Sequence, residues 1–369
     1  MKTDLSEWND WKWHMTHRIE TIEQLMHHID LTDEEKVGIT MASQHFTWAV
    51  TPYYASLMNR SDRSCPIRMQ AVPTAFELCD DLGVADPLEE RKNSPIELII
   101  RVYPDRVAFT VGNRCPAYCR HCIRKETMVG KPDRNFSKDK IQEGIKYIRH
   151  HPEIRDVLLT GGDPLLMSDE KIEEILIQIW AIPTVEVIRI GTRCPCTLPQ
   201  RITLKLCQIL EKYHPLYLNT QFNHPKEITP EAEAACARLA SAGIPLGNQS
   251  VLLRGINDNV ETMKKLCEEL MRIRVRPYHL FQSQNLRGTR HFRTPIEAGC
   301  QMIKKLQGSI SGLAVPLFLL DTPYGKTPLN DSYIIGRKGD DMLMTTWNGK
   351  VWREHNPISL ESVDARKCS

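Results

Sequence analysis

The sequence predicts an α/β protein built as a partial (β/α)6 barrel with an N-terminal helical segment. Six short β-rich runs occur in order, at VAFTVG (107–112), DVLLTG (156–161), VEVIRIG (185–191), LYLNTQF (216–222), PLGNQSVLL (245–253) and VRPYHLF (275–281). From the second onward they recur about every thirty residues, the size of a β/α unit. Between them lie helical patterns such as KIEEILIQIW (171–180), PEAEAACARLASAG (230–243) and ETMKKLCEELMRI (261–273). Such a series builds either a doubly wound sheet or a barrel. The barrel is favoured because the chemically unusual residues fall just past strand C-termini, in loops that a barrel gathers at one mouth.

Residues 1–95 form the N-terminal helical region. IETIEQLMHHI (19–29) and LTDEEKVGI (31–39) are amphipathic, and Thr32 with Glu35 three residues on has the spacing of a capping box. Residues 96–335 are the expected barrel, and 336–369 a C-terminal extension. The strand runs are largely apolar, as expected of strands covered on both faces.

Charge and composition exclude several classes. The 48 basic residues are nearly cancelled by 46 acidic ones, for a net charge of +2, so neither a nucleic-acid nor a membrane partner is expected. No apolar run approaches a membrane span. The polar start MKTDLSEWNDWKWHMTHR lacks the apolar stretch of a signal peptide, and a cytoplasmic location is expected. In that setting twelve cysteines are metal ligands, catalytic groups or buried thiols rather than disulfides. Cys207, Cys236, Cys267 and Cys300 sit in apolar helical patterns, and Cys65, Cys79 and Cys368 carry no spacing signal. The pair in RCPCTLP, Cys194 and Cys196, reads as ordinary buried thiols.

The trio Cys115, Cys119 and Cys122 in RCPAYCRHCIR (114–124) differs. Three thiolates do not close a structural zinc site, which takes four ligands. They can hold three irons of a [4Fe–4S] cluster and leave the fourth open to a small molecule. A zinc site completed by His121 or a remote cysteine is the alternative. Arg114, Arg120, His121 and Arg124 are expected to make the loop electropositive and favour thiolate. The second motif is TGGDPL (160–165). Its paired glycines let a ligand approach the backbone, and its aspartate can accept from an amine.

CPAYCRHC after the first strand, GGDPL after the second and the β/α repeat together resemble the radical S-adenosylmethionine (SAM) superfamily. Further stretches, among them TPYYASL (51–57), YPDRV (103–107), LPQRIT (198–203), FNHPKEIT (222–229), NQSVLLRGINDN (248–259), HFRTP (291–295) and GKTPL (325–329), resemble the lysine 2,3-aminomutase family over about residues 10–335. The resemblance implies a radical-SAM barrel, an isomerase activity and three cofactors: a [4Fe–4S] cluster, SAM and pyridoxal 5′-phosphate (PLP). Cys115, Cys119 and Cys122 match the cluster ligands, and Gly161, Gly162 and Asp163 the positions that meet the amino group of SAM. Lys326 matches the lysine that carries PLP, and Tyr103, Arg106 and Gln249 match positions lining its site. Arg124 matches the arginine that binds the substrate α-carboxylate, a bidentate task suited to guanidinium. Reductive cleavage of SAM then starts transfer of the amino group of a free amino acid from Cα to Cβ.

This chain departs from the family at the positions that read the substrate's distal end. Lysine-specific members have two aspartates; here the matches are Asp321 and Gln284, so lysine, arginine, ornithine or another polar amino acid becomes the expected substrate. Gln221 replaces a histidine typical of the family. The C-terminal cysteines that hold zinc in some members are reduced to Cys368, so no such site is expected. The resemblance implies a homo-oligomer and an electron donor such as flavodoxin or ferredoxin. The alternative functions are a lysine aminomutase acting in elongation factor P modification, and a non-catalytic iron–sulfur protein.

Overall fold

The computed structural model describes residues 4–80, 82–127, 136–330, 334–339, 341–346 and 349–355. Nine strands form one sheet in chain order: β1 (Ile99–Tyr103), β2 (Arg106–Thr110), β3 (Asp156–Thr160), β4 (Val187–Gly191), β5 (Leu216–Thr220), β6 (Leu246–Leu252), β7 (Arg276–Gln282), β8 (Leu317–Thr322) and β9 (Gly325–Pro328). Strands β2 to β8 are parallel, and an antiparallel hairpin closes each end of the series. All six expected strands are present, each followed by a helix. The sequence reading missed the seventh parallel strand, β8, because its LFLLDT run merges into the motif around Lys326.

Local chemistry starts the connecting helices. Those over Lys138–Arg149, Asp169–Trp180, Leu204–Leu210, Pro230–Ser241 and Val260–Arg272 each begin after a Ser, Thr or Asn whose side chain accepts from a first-turn backbone N–H. In the N-terminal region the Thr32–Glu35 capping box is present, while the run 19–29 forms only a five-residue helix, Ile22–Met26.

The strands alternate rather than being covered equally on both faces. Val107, Phe109, Val157, Leu159, Ile188 and Ile190 are buried, in one core with residues of the N-terminal helices such as Tyr53, Tyr54 and Ile67. Their neighbours Ala108, Leu158 and Arg189 pair across three strands in one register row and line an interior cavity. The inner face therefore encloses a site. A separate antiparallel sheet of β10 (Ile334–Lys338), β11 (Asp341–Thr345) and β12 (Val351–His355) follows, starting just before the expected extension. Cys368 lies outside the described residues, and no described helix is long and apolar enough to cross a membrane.

Candidate active site

The cysteine loop leaves the C-terminal end of β2 and is clamped from two sides. Gly162 N donates to Gly112 O at 2.6 Å and Asp163 N to Arg114 O at 2.7 Å, while Tyr118 N and Arg120 N reach Ala49 O and Gln70 O of the N-terminal region at 2.9 and 2.8 Å. A Cβ on Gly162 would stand 2.5 Å from Arg114 O. The structural demand on this glycine is thus close approach of the cysteine loop, a constraint the sequence reading had assigned to a ligand. Asp163 is likewise engaged within the protein. Its buried carboxylate already accepts from Thr192 Oγ1 at 2.7 Å, Arg193 N at 2.8 Å and Leu165 N at 3.1 Å. It ties the GGD loop to the TRCP loop.

The positive charge expected on the loop is partly paired by carboxylates. Buried Arg120 and Lys125 share the carboxylate of Glu77, with Arg120 at 2.9 and 2.6 Å and Lys125 at 3.0 Å. Arg124 is paired with Glu90. Burial, then the neighbouring cations led by Arg193, holds His121 neutral, far below the usual imidazole range. Burial and then Asp163 push the Cys115 thiol well up, and burial and then Cys119 take Cys122 to about 11 against the opposing pull of Arg124 and Lys125.

The cation that does reach a sulfur is Arg193, with Nη1 2.7 Å from Cys119 Sγ. The same guanidinium donates to Glu227, Gln70, Tyr54 and the Gln221 carbonyl. Sequence reasoning missed its role, although TRCP follows β4 where a barrel loop would carry function. Gln221, in the family's histidine position, places its amide 3.1 Å from His121 Nε2.

The chemistry of the donor set, three thiols and no carboxylate on one loop, is compatible with an iron–sulfur group. Three thiols share one clamped loop. Yet no set of three His, Cys, Asp or Glu among the described residues converges as ligands of one metal ion would. Within the loop, buried His121 keeps Nδ1 without a protein partner.

The second part of the site is an inner cavity of about 200 Å³, lined by Tyr103, Arg106, Arg124, Gln249, Asp321 and Lys326 among others. Six of the expected site residues, scattered from 103 to 326, therefore meet there. Asp321 and Lys326 are paired across the β8–β9 hairpin, and Arg106 stacks on the Tyr103 ring with its guanidinium carbon 4.2 Å from the centroid. Burial raises the Asp321 carboxyl above the usual carboxylate range, against the pull of Lys326 and Arg124.

Gln284 does not line this cavity; its amide donates to the Asp321 backbone carbonyl at 2.7 Å. The expected pairing of a carboxylate with a facing amide is replaced by a support for the strand that carries Asp321.

Glu90, Arg189 and His279 are among the lining residues that escaped the sequence reading. Arg189 is held by Asp156 at 2.8 Å. His279 stacks on Tyr278 and accepts from Gln249 Nε2 at 3.4 Å, and burial, then Lys326, pushes it down to about 4. A polar residue inside the runs of β4 and β7 was the legible signal for both.

Residues 109–267 match the radical SAM superfamily model. The L-lysine 2,3-aminomutase of Fusobacterium nucleatum is 47% identical, over 94% of this chain and 82% of its own length. That of Clostridium subterminale is 46% identical over 96% and 86%, and the glutamate 2,3-aminomutase of Clostridioides difficile is 46% identical over 98% and 85%. Among solved structures, Streptococcus suis SuiB bound to S-adenosylmethionine aligns at a TM-score of 0.46 and 14% identity, covering 59% of this chain and 51% of that one. With its barrel, its cysteine loop and near-full-length relatives of this kind, the chain belongs to the lysine 2,3-aminomutase family of radical SAM enzymes.

Proposed function

We propose that this enzyme is a PLP-dependent 2,3-aminomutase that moves the α-amino group of a free polar or cationic amino acid to its β-carbon. The observation that carries the reading is one cavity inside the barrel, lined by Lys326, Tyr103, Arg106, Gln249 and Asp321 together with Arg124 just past the last cysteine. In this reading Cys115, Cys119 and Cys122 hold a [4Fe–4S] cluster. The Gly161–Gly162 backbone offers SAM its ledge, and Asp163 keeps that ledge in register.

Lys326 would carry PLP, with the Tyr103 ring, Arg106 and Gln249 against it. Bound there, PLP supplies conjugation that lets nitrogen pass between adjacent carbons, while the cluster and SAM supply the initiating radical. The protein's part is to bind, orient and exclude water. Arg124 presents a guanidinium for the α-carboxylate, and Asp321 stands in the same cavity as the anion for the distal group. Electrons would come from a flavodoxin- or ferredoxin-like donor, and a homo-oligomer follows the family pattern.

The test is anaerobic reconstitution with iron, sulfide, PLP, SAM and dithionite, followed by incubation with lysine, arginine, ornithine, glutamate and alanine. Mass spectrometry then looks for β-amino products. A β-product from lysine, arginine or ornithine, lost in Lys326→Ala, supports the reading. Product from glutamate alone sinks the role given to Asp321. SAM cleavage without any rearranged amino acid sinks the free-amino-acid assignment.

A further inference from the structure

Glu90 lines two cavities, an inner one and a larger second one. It lines the inner cavity with Lys326 and Asp321, and it lines the second cavity, of about 570 Å³, with Asp86, Ser94 and Glu97. Its carboxylate takes the Nε–Nη2 edge of Arg124: Nε lies 3.0 and 2.9 Å from the two oxygens and Nη2 2.7 Å from one of them, while Nη1 donates to Thr160 Oγ1 at 3.1 Å. Both side chains are only 14% exposed. Among the described residues, the hydrogen bonds and ion pair found for that carboxylate all go to Arg124.

The backbone beneath Glu90 is held in an unusual shape. The Asp86 carboxylate accepts from Glu90 N at 3.0 Å and Arg91 N at 3.2 Å. Glu89 has φ +48, a left-handed conformation that non-glycine residues populate sparsely. The turn thus aims one carboxylate inward at one guanidinium.

A carboxylate on a guanidinium is also what an amino acid's α-carboxylate would make at Arg124. We infer that Glu90 is a specificity-determining residue: an internal carboxylate that the substrate's own α-carboxylate must displace from Arg124. A free amino acid exchanges one charge-assisted bidentate pair for another, and the exchange is close to even. A ligand whose carboxyl is an amide, as in a peptide-linked residue, offers only a neutral acceptor, and Glu90 keeps its place. The displaced side chain has the second cavity to enter. Glu90 therefore sets a threshold that admits free amino acids and turns away carboxamides. The inference rests on Arg124 as the α-carboxylate anchor of the proposed reaction.

The test measures binding of lysine, arginine and glutamate, and of their α-carboxamides, to reconstituted wild-type enzyme, Glu90→Gln and Arg124→Gln by anaerobic calorimetry. Circular dichroism checks that each variant is folded. The expected result is that Glu90→Gln tightens amino-acid binding at least about tenfold, on the scale of a lost charge-assisted pair. It should also bring carboxamide binding into range, while Arg124→Gln abolishes the gain. Unchanged or weaker binding in Glu90→Gln, with binding still lost in Arg124→Gln, would make Glu90 a support for Arg124 and overturn the inference alone. Amino-acid binding indifferent to Arg124→Gln would remove the anchor and take both readings down.

Discussion

The hydroxyl of Tyr103 accepts a hydrogen bond from the backbone N–H of Lys326 at 2.7 Å. Tyr103 ends β1 and Lys326 lies in β9, so this contact joins the two outermost strands of the sheet beside the candidate cofactor lysine. Gly325 makes the approach possible. Its φ is +114, and a Cβ there would stand 2.6 Å from the Tyr103 hydroxyl.

Tyr103→Phe keeps the ring on which Arg106 stacks and removes only the acceptor. The Lys326 N–H is exposed enough for water to replace it, so the stability cost is expected at about 0.5–1 kcal/mol. PLP affinity, followed as visible absorbance during titration, is expected to fall severalfold because Lys326 loses its tether. Unchanged affinity with the same small stability loss would show that the hydroxyl only closes the sheet.

Gly162→Ala addresses the other half of the site. The added methyl would meet Arg114 O and N at 2.5 and 2.7 Å, and both atoms are backbone. No side chain can swing aside, so the cysteine loop itself has to move, at a cost of about 1–3 kcal/mol. Iron and sulfide per chain after reconstitution are expected to drop by more than half relative to wild type. A full complement would mean that the loop finds its cluster geometry without the GGD clamp.

The parts legible in the sequence were those written locally. Strand runs such as DVLLTG announce themselves because one face packs against helices, and the Ser, Thr and Asn caps sit one residue before their helices. The cysteine trio is compact, and Lys326 was reachable only through its family motif. What stayed hidden depends on distance. Glu90 meets Arg124 34 residues on, and Arg193 reaches Cys119 across 74. No periodicity encodes such pairings. Gln284 was misread for a related reason: position implied a side chain facing the substrate, while the fold turns its amide onto the Asp321 main chain.

That geometry makes Gln284→Asp informative. On sequence grounds the change restores a second anion for a cationic substrate. In the fold it removes the amide that donates to the Asp321 carbonyl oxygen and puts a shorter, acceptor-only side chain near it, leaving that carbonyl unpaired in a half-buried place. A loss of about 1–3 kcal/mol is expected, with no gain in affinity for lysine over glutamate. Chemical denaturation and competitive binding measure both. A clear shift toward lysine would show that residue 284 reaches the substrate after all.

Acid sensitivity offers a test away from the reacting groups. Burial is the main cause that pushes His291 down to about 4, with Lys125 and Arg120 opposing protonation and Glu77 and Asp80 favouring it. Its Nδ1 is buried without a partner. The folded protein therefore keeps this ring neutral, while the unfolded chain takes up a proton near the ordinary value of 6.5. With more protons bound in the unfolded state, stability falls as pH drops from 6.5 to 4, and below that window the loss from this residue stops growing. The ceiling for one such group is about 3 kcal/mol. His291→Gln cannot titrate, so its stability should decline less over that window than the wild type's, in urea melts of the two proteins at matched pH. Residual decline is expected, because His279 is pushed equally low. Parallel curves for the two proteins would mean that His291 is protonated in the fold as readily as in the open chain.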